Sequence, residues 1–516
     1  MATTMATFLT EQAVHYGDEP MLRVNGDGRS YRQLLDDARA LAHGLSALGM
    51  GSGTRVAIIM DNSHEAVDAW FAASLLGCIE APLNVNYRGT LLTHLLSNSA
   101  AEFVIVDEKY ADQLEGALAG LPRRPTIIVN GSAGDPANGA VRLADAYDRS
   151  PGWQPDGFTG GEVILYTSGT TGPSKGVVHN QRGGLLLAQY VAEVCGYRPG
   201  DRLLNFFPLY HQNARYTGVL AAIAAGAAID LEQRFTSSRF WDLCRERGVT
   251  AFNYLGSVLN MIMSASGPED PARDRNHPVR IGWGAGASEK DRAEFKRRFG
   301  VDLIEVYGLS EAPMATVNPI GSGYAPGSAG REGKFFQVRV VNDAGQVAAP
   351  GEPGEIQLRP KMDDVFMRGY NNDPAATVAA TRDLWFHSGD RGYLTEDGDL
   401  FFTDRLKDSL RRRGENISAW EVESVITADP RVREAAVYGV VVDGEEEVAA
   451  ALVLETPNAD VRQIIRDVAG NLPRYAVPRY VRAVPDLPRT PTLKVQKSEL
   501  RGAGITPDTY DLNAEN

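Results

Sequence analysis

Through the first half of the chain, two hydrophobic periods take turns. In Ser30–Met50 (SYRQLLDDARALAHGLSALGM), Leu34, Ala38, Leu41, Leu45 and Leu48 recur at helical spacing, and Gly49 and Gly51 end the pattern. The continuous apolar run TRVAIIM then predicts a buried strand, EAVDAWFAASLLG a second helix, and IEAPL and FVIVD two further strands. The same strand pattern returns in EVILYTSG, RLLNFFPL, VTAFNYL, VRIGWGAG and VDLIEVYG. Helices alternating with runs buried on both faces predict an α/β architecture with parallel sheets. Past about Glu332, FQVRVVNDAGQVAAPGEPGEIQLRP reads as strands joined by Gly and Pro-Gly turns, hence a β-rich segment. Beyond the charged stretch DRLKDSLRRRGEN lies a compact pattern: a helix near Ala419–Ala428, then strands at EAAVYGVV and AALVLE. This predicts a domain boundary near Asp404–Asp408, with an α/β part and a β-rich segment before it and a smaller compact unit of helix and strands after it.

Composition narrows the function. The 516 residues carry 52 basic and 66 acidic side chains, a formal charge of −14, which disfavours nucleic acid and anionic membranes as general partners. The N-terminus lacks the charged and apolar regions of a secretory signal, and no apolar run reaches the length of a membrane span. Cys78, Cys195 and Cys244 are far apart and in no metal-ligand spacing, as expected of reduced thiols in a cytoplasmic protein.

The chemistry concentrates in a few short stretches. Tyr166–Gly176 (YTSGTTGPSKG) follows the EVILY strand, where glycines let the chain bend and present backbone N–H groups to an anion. Thr167, Ser168, Thr170 and Thr171 add hydroxyls, Gly169 and Gly172 the turns, and Lys175 a positive charge. No Gly-Lys-Ser/Thr closes the stretch, so it is not a Walker A loop. Val306–Ala312 (VYGLSEA) carries a hydroxyl and a carboxylate, and Phe386–Gly392 (FHSGDRG) an aspartate in a tight turn.

Together with Asp404–Ser418 (DRLKDSLRRRGENIS) and Pro488–Lys497 (PRTPTLKVQK), these stretches resemble, in order and over nearly the whole chain, the motifs of the adenylate-forming (ANL) superfamily, in its acyl-CoA synthetase branch. Ser310 and Ser388 stand where threonine is common, and Leu493 where glycine is common. The resemblance implies ATP-dependent activation of a carboxylic acid to acyl-AMP with release of pyrophosphate, then transfer to coenzyme A. It implies that the glycine-rich loop and Lys175 hold departing phosphates, that Glu311 binds Mg²⁺, and that Ser310 bonds the α-phosphate. Tyr307, Gly308, Gly286, Ala287 and Glu305 are expected around the adenine, with Asp390 and Arg405 at the ribose. The implied fold is α/β: residues 1–404 form a large domain of stacked mixed and parallel sheets with helices plus a β-rich subdomain, and residues 405–516 a small mobile α+β domain. Lys494 is the expected catalytic cation, Lys407 the hinge of that mobile domain, and Gly414 a residue of the coenzyme A tunnel.

Leu204–Gly218 (LNFFPLYHQNARYTG) corresponds to the wall of the acyl pocket, with His211 as gate and Asn213 and Arg215 as polar candidates. Asn253 and Gly284, from NYLGS and WGAGAS, are expected in the remaining wall. An inward Arg215 would favour an acid with a second anionic or polar group, and the mixture favours a medium-sized or aromatic acid. The alternative keeps the first half-reaction with another acceptor: a carrier protein, or nitrite as in a diazotase. A homodimer is left open.

Overall fold

The computed structural model describes residues 4–131, 139–155, 161–167, 174–405, 410–412, 415–417, 419–442, 445–455, 459–472, 474–490, 493 and 495–513. Two large sheets dominate it. The nine-stranded sheet runs in the order Arg331–Glu332, Thr316–Val317, Asp302–Tyr307, Ile281–Ala285, Ala251–Leu255, Arg202–Asn205, Ala228–Leu231, Pro20–Val24 and Asp27–Ser30. Its six central strands are parallel, with antiparallel strands at both edges. The eight-stranded sheet runs from Gly369–Tyr370 through Gly176–Asn180, Glu162–Tyr166, Ile79–Pro82, Arg55–Ile59, Phe103–Asp107 and Thr126–Asn130 to Val141–Arg142.

The helices form where the patterns predict. Ser30 caps Tyr31–Ala47 by accepting from Gln33 N while Gln33 reaches back, a reciprocal arrangement that satisfies two orphan donors. Leu34, Ala38, Leu41 and Leu45 are buried on it, but Leu48 falls on the C-cap and is exposed. The helix His64–Leu75 is apolar almost all round and is buried accordingly. These helices and Gln181–Cys195 contribute to one continuous apolar core, and a second cluster covers the outer face of the eight-stranded sheet.

The β-rich segment is a four-stranded antiparallel sheet of Phe336–Val341, Gly354–Pro360, Phe386–Leu394 and Leu400–Arg405. Beyond it, the helix Ala419–Thr427 and a sheet containing Val432–Val442, Glu445–Leu454, Tyr480–Ala483 and Tyr510–Asp511 form a C-terminal domain with cores of its own. Among the described residues, hydrogen bonds from Lys290 Nζ to Thr427 O at 3.2 Å and from Ser257 Oγ to Leu493 O at 3.1 Å tie it to the large domain.

Candidate active site

Ligands of open parallel sheets bind beyond the carboxyl ends of the strands. Here those ends are Asn205, Leu255, Ala285 and Tyr307 of the nine-stranded sheet and Tyr166 of the other. Most of the sequence-predicted site residues that the structure describes lie in or just past these strand ends; Asp390 and Arg405 belong to the four-stranded sheet. Ser168, Gly169, Thr170, Thr171, Gly172, Lys407, Gly414 and Lys494 lie outside the described residues. Arg405 is described through its backbone, paired with Asp390 across the antiparallel ladder.

The structure joins Lys175 to Glu311 through a residue that the sequence did not single out. Tyr370 donates its hydroxyl to Glu311 Oε1 at 2.8 Å, and Lys175 Nζ stands 4.7 Å from the Tyr370 ring centroid. Burial first and the neighbouring Glu311 charge second push the Tyr370 hydroxyl pKa upward, so it stays a proton donor. Tyr370 reaches this place because Gly369–Tyr370 adds an antiparallel edge to Val177–Val178, beyond the glycine-rich loop. Thr167 N bonds Lys175 O at 3.0 Å, closing the base of that loop.

Ser310 is held by its carbonyl, which accepts from His179 Nε2 at 2.6 Å and Gln212 Nε2 at 2.9 Å. Burial pushes the His179 pKa down to about 4, so the ring is neutral and carries its proton on Nε2, the only arrangement a carbonyl accepts. His179 and Gln212 were not expected here; His179 belongs to no motif and Gln212 was passed over within the acyl-wall stretch, and only the fold brings the two together at the Ser310 carbonyl. Burial also pushes His211 down to about 4, and its ring lies edge-on to Tyr210 with centroids 4.7 Å apart.

Tyr307 donates its hydroxyl to Asp390 Oδ2 at 2.9 Å, uniting two motifs on different sheets. Its ring stacks on Phe402 at 6.1 Å. Asp390 is buried rather than displayed on a surface turn, and its N–H donates to Ser388 Oγ at 3.0 Å. Gly308 follows Tyr307 directly, where the chain leaves the strand.

One expectation changes, that for Arg215. Glu305 is buried at the expected adenine residues: Oε1 accepts from Gly286 N and, at 3.1 Å, from Ala287 N, while Oε2 accepts from Tyr254 OH at 2.8 Å. It clamps the Gly286–Ala287 backbone, and burial raises its pKa to about 7 against the opposing pull of Arg292. Gly286 has φ +77° and its carbonyl stands 1.9 Å from where a Cβ at residue 256 would be, so Gly256 is required for this close packing; two residues earlier, a Cβ on Gly284 would stand 2.3 Å from Tyr254 O.

Arg215 is the correction: it is buried, but its charge is already paired with Glu80 and not left free for a substrate anion. It is 1% exposed and forms a two-pronged ion pair with Glu80, at 2.9 Å and 2.5 Å, with its guanidinium 4.1 Å from the Trp70 ring centroid. The cavity beside it, bordered by Ile58, Met60, Trp70 and Leu209, has a volume of about 10 Å³, room for at most about one water. Asn253 is likewise fully buried and stands behind Asn213, bonding Asn213 Oδ1 at 2.9 Å and Thr217 Oγ1 at 2.8 Å.

Leu493 gives a physical account of the glycine common at its position. Its φ is +64°, in the left-handed region that costs an L-residue roughly 1 kcal/mol or more. Its side chain packs against the large core, and its carbonyl accepts from Ser257 Oγ and, at 3.2 Å, from Arg489 Nη1.

Comparison with known proteins agrees with this geometry. The family described as AMP-binding enzyme matches residues 9–371, and the AMP-binding enzyme C-terminal domain matches residues 421–494. The chain is 30% identical over 507 residues to the sulfoacetate–CoA ligase of Cupriavidus necator, covering 96% of this chain and 97% of that one. It is 31% identical over 484 residues to a long-chain-fatty-acid–CoA ligase of Mycobacterium tuberculosis, covering 92% of each. The crystal structure of ATP-bound MatB from Rhodopseudomonas palustris superposes with a TM-score of 0.85 at 25% identity, covering 98% of this chain and 99% of that one. The chain therefore belongs to the AMP-binding enzyme family, in the acyl-CoA synthetase branch of the adenylate-forming superfamily.

Proposed function

We propose that the protein is an ATP-dependent carboxylate–CoA ligase: acid and ATP give acyl-AMP and pyrophosphate, and coenzyme A then displaces AMP. The observation that carries this reading is the meeting of Lys175, Tyr370 and Glu311 at the strand ends, next to Ser310. Attack by a carboxylate on the α-phosphate brings two anions together, so catalysis depends on neutralising charge at the phosphates. Lys175 and the glycine-rich loop take the departing β- and γ-phosphates, while Ser310, held by His179 and Gln212, faces the α-phosphate. Tyr307 lies against the adenine and Asp390 accepts from the ribose hydroxyls, with Arg405 beside it.

Among the described residues no three His, Cys, Asp or Glu side chains gather around one point. The donor set fits Mg²⁺, which takes one or two carboxylates and completes its shell with phosphate oxygens and water. Glu311 would hold it, oriented by Tyr370; the ion would neutralise phosphate charge.

Lys494 is assigned the transition-state cation, delivered by the C-terminal domain, with the boundary near residues 404–405 and Lys407 as hinge. Withdrawal of that lysine then opens a path past Gly414 for the thiol. A cytoplasmic location suits three buried, unpaired cysteines and the absence, among the described residues, of any helix long and apolar enough to cross a membrane. The test is acid-dependent exchange of labelled pyrophosphate into ATP, run with and without coenzyme A. Exchange without any thioester would shift the acceptor to a carrier protein or a small oxyanion such as nitrite; no exchange with any acid would remove the reading.

A further inference from the structure

The stretch that the resemblance assigns to the acyl wall carries a cluster of amides, and their orientations can be fixed from backbone groups. Asn205 Oδ1 accepts from Phe207 N at 2.8 Å, so Asn205 Nδ2 is the atom facing Asn213 Oδ1 at 3.2 Å. Asn253 approaches the Asn213 carbonyl at 3.3 Å, and a carbonyl only accepts, so Asn253 also presents Nδ2, bonding Asn213 Oδ1 at 2.9 Å. Two amide donors thus converge on Asn213 Oδ1. Its Nδ2 is left with no acceptor among the described residues, on a side chain that is only partly buried.

The backbone is shaped to hold this cluster. Gln212–Ala214 runs directly into a π-helix, Arg215–Leu220, a wide turn that recurs at functional sites. The wide turn sets Thr217 Oγ1 on the Asn213 carbonyl at 2.8 Å. A Cβ at residue 218 would stand 2.8 Å from Asn205 Nδ2, so Gly218 is what admits the Asn205 amide. The one formal cation of the segment, Arg215, is neutralised by Glu80. The wall therefore offers a hydrogen-bond donor and no net charge.

Resting on the acid-activating reading above, we infer that the acid carries an uncharged hydrogen-bond acceptor beyond its carboxylate, a hydroxyl or carbonyl oxygen, received by Asn213 Nδ2. Plain alkyl acids are disfavoured because they leave this donor desolvated without a partner. Dianionic acids are disfavoured because, among the described residues of this wall, the one formal cation, Arg215, is already paired with Glu80. Sites built to bond a substrate oxygen reject analogues that lack it far more strongly than apolar pockets reject a size change.

The experiment measures kcat/KM for pyrophosphate exchange over matched acids of equal chain length: alkyl, hydroxy- or oxo-substituted, and dicarboxylic. The wild-type enzyme is expected to prefer the hydroxy or oxo member at least tenfold, and Asn213→Leu to lower that ratio tenfold or more. Asn213→Ser, which perturbs packing less, should lower it in the same direction. Equal or greater activity on alkyl or dicarboxylic acids in wild type overturns the inference, as does an unchanged ratio in either variant. Exchange with alkyl acids and no oxygen preference sinks this inference alone; no exchange with any acid sinks the adenylating reading instead.

Discussion

Arg215→Met tests whether the buried cation serves the fold or the substrate. Arg215 and Glu80 are each 1% exposed, and their two contacts of 2.9 Å and 2.5 Å lie within an apolar shell that includes Trp70. Removing one member of such a pair strands the other charge, at a cost of about 3–5 kcal/mol. Burial already raises the Glu80 pKa despite Arg215, so without the guanidinium the carboxyl takes up a proton and part of the cost appears as proton uptake. The double substitution Arg215→Met with Glu80→Met removes both charges, keeps the volume apolar, and should recover most of the lost stability. The assay is equilibrium urea denaturation of the wild type, both single variants and the double variant, paired with the acid selectivity of each. A structural pair predicts large losses in the singles, recovery in the double, and unchanged selectivity in the double. An Arg215→Met enzyme that unfolds like wild type yet selectively loses dianionic acids would refute the reasoning.

Tyr370→Phe keeps the ring under Lys175 but removes the donor that orients Glu311; kcat/KM for ATP should fall about tenfold, the worth of ~1.4 kcal/mol, and titration with Mg²⁺ should show the deficit, whereas an unchanged Mg²⁺ dependence would separate Tyr370 from the metal. Glu305 has a folded pKa raised to about 7, so the folded state binds the extra proton and this group's contribution to stability declines as pH rises from its unfolded value toward 7. The stability difference between wild type and Glu305→Gln should follow that slope, and a pH-independent difference would contradict the buried clamp. Leu493→Gly relieves the left-handed strain but loses the contact with the large core, so adenylation should slow while thioester formation from supplied acyl-AMP is spared. Equal loss in both half-reactions would deny Leu493 a role in docking.

The motif residues were legible because each stretch carries its chemistry within a few positions. Tyr307, Ser310 and Glu311 share one strand end, and Asp390 stands within the short stretch Phe386–Gly392, so a local pattern sufficed to single them out. What escaped was set by long-range packing. Tyr370 meets Glu311 only because a two-residue edge strand pairs with Val177–Val178. Arg215 looked available for substrate because its partner Glu80 lies 135 positions away. Glu305 sits in a strand whose face toward Gly286 and Ala287 is decided by register with Trp283 and Gly284, which the strand's own residues do not encode. Leu48 shows the opposite error: it keeps the helical period past the last turn, where Gly49 has already released the chain.

The most direct test of the central claim is the phosphorus balance of a single turnover with an accepted acid and coenzyme A. The account predicts one AMP and one pyrophosphate for each thioester formed, with acyl-AMP accumulating when coenzyme A is withheld. ADP and orthophosphate as products, in the same experiment, would contradict it.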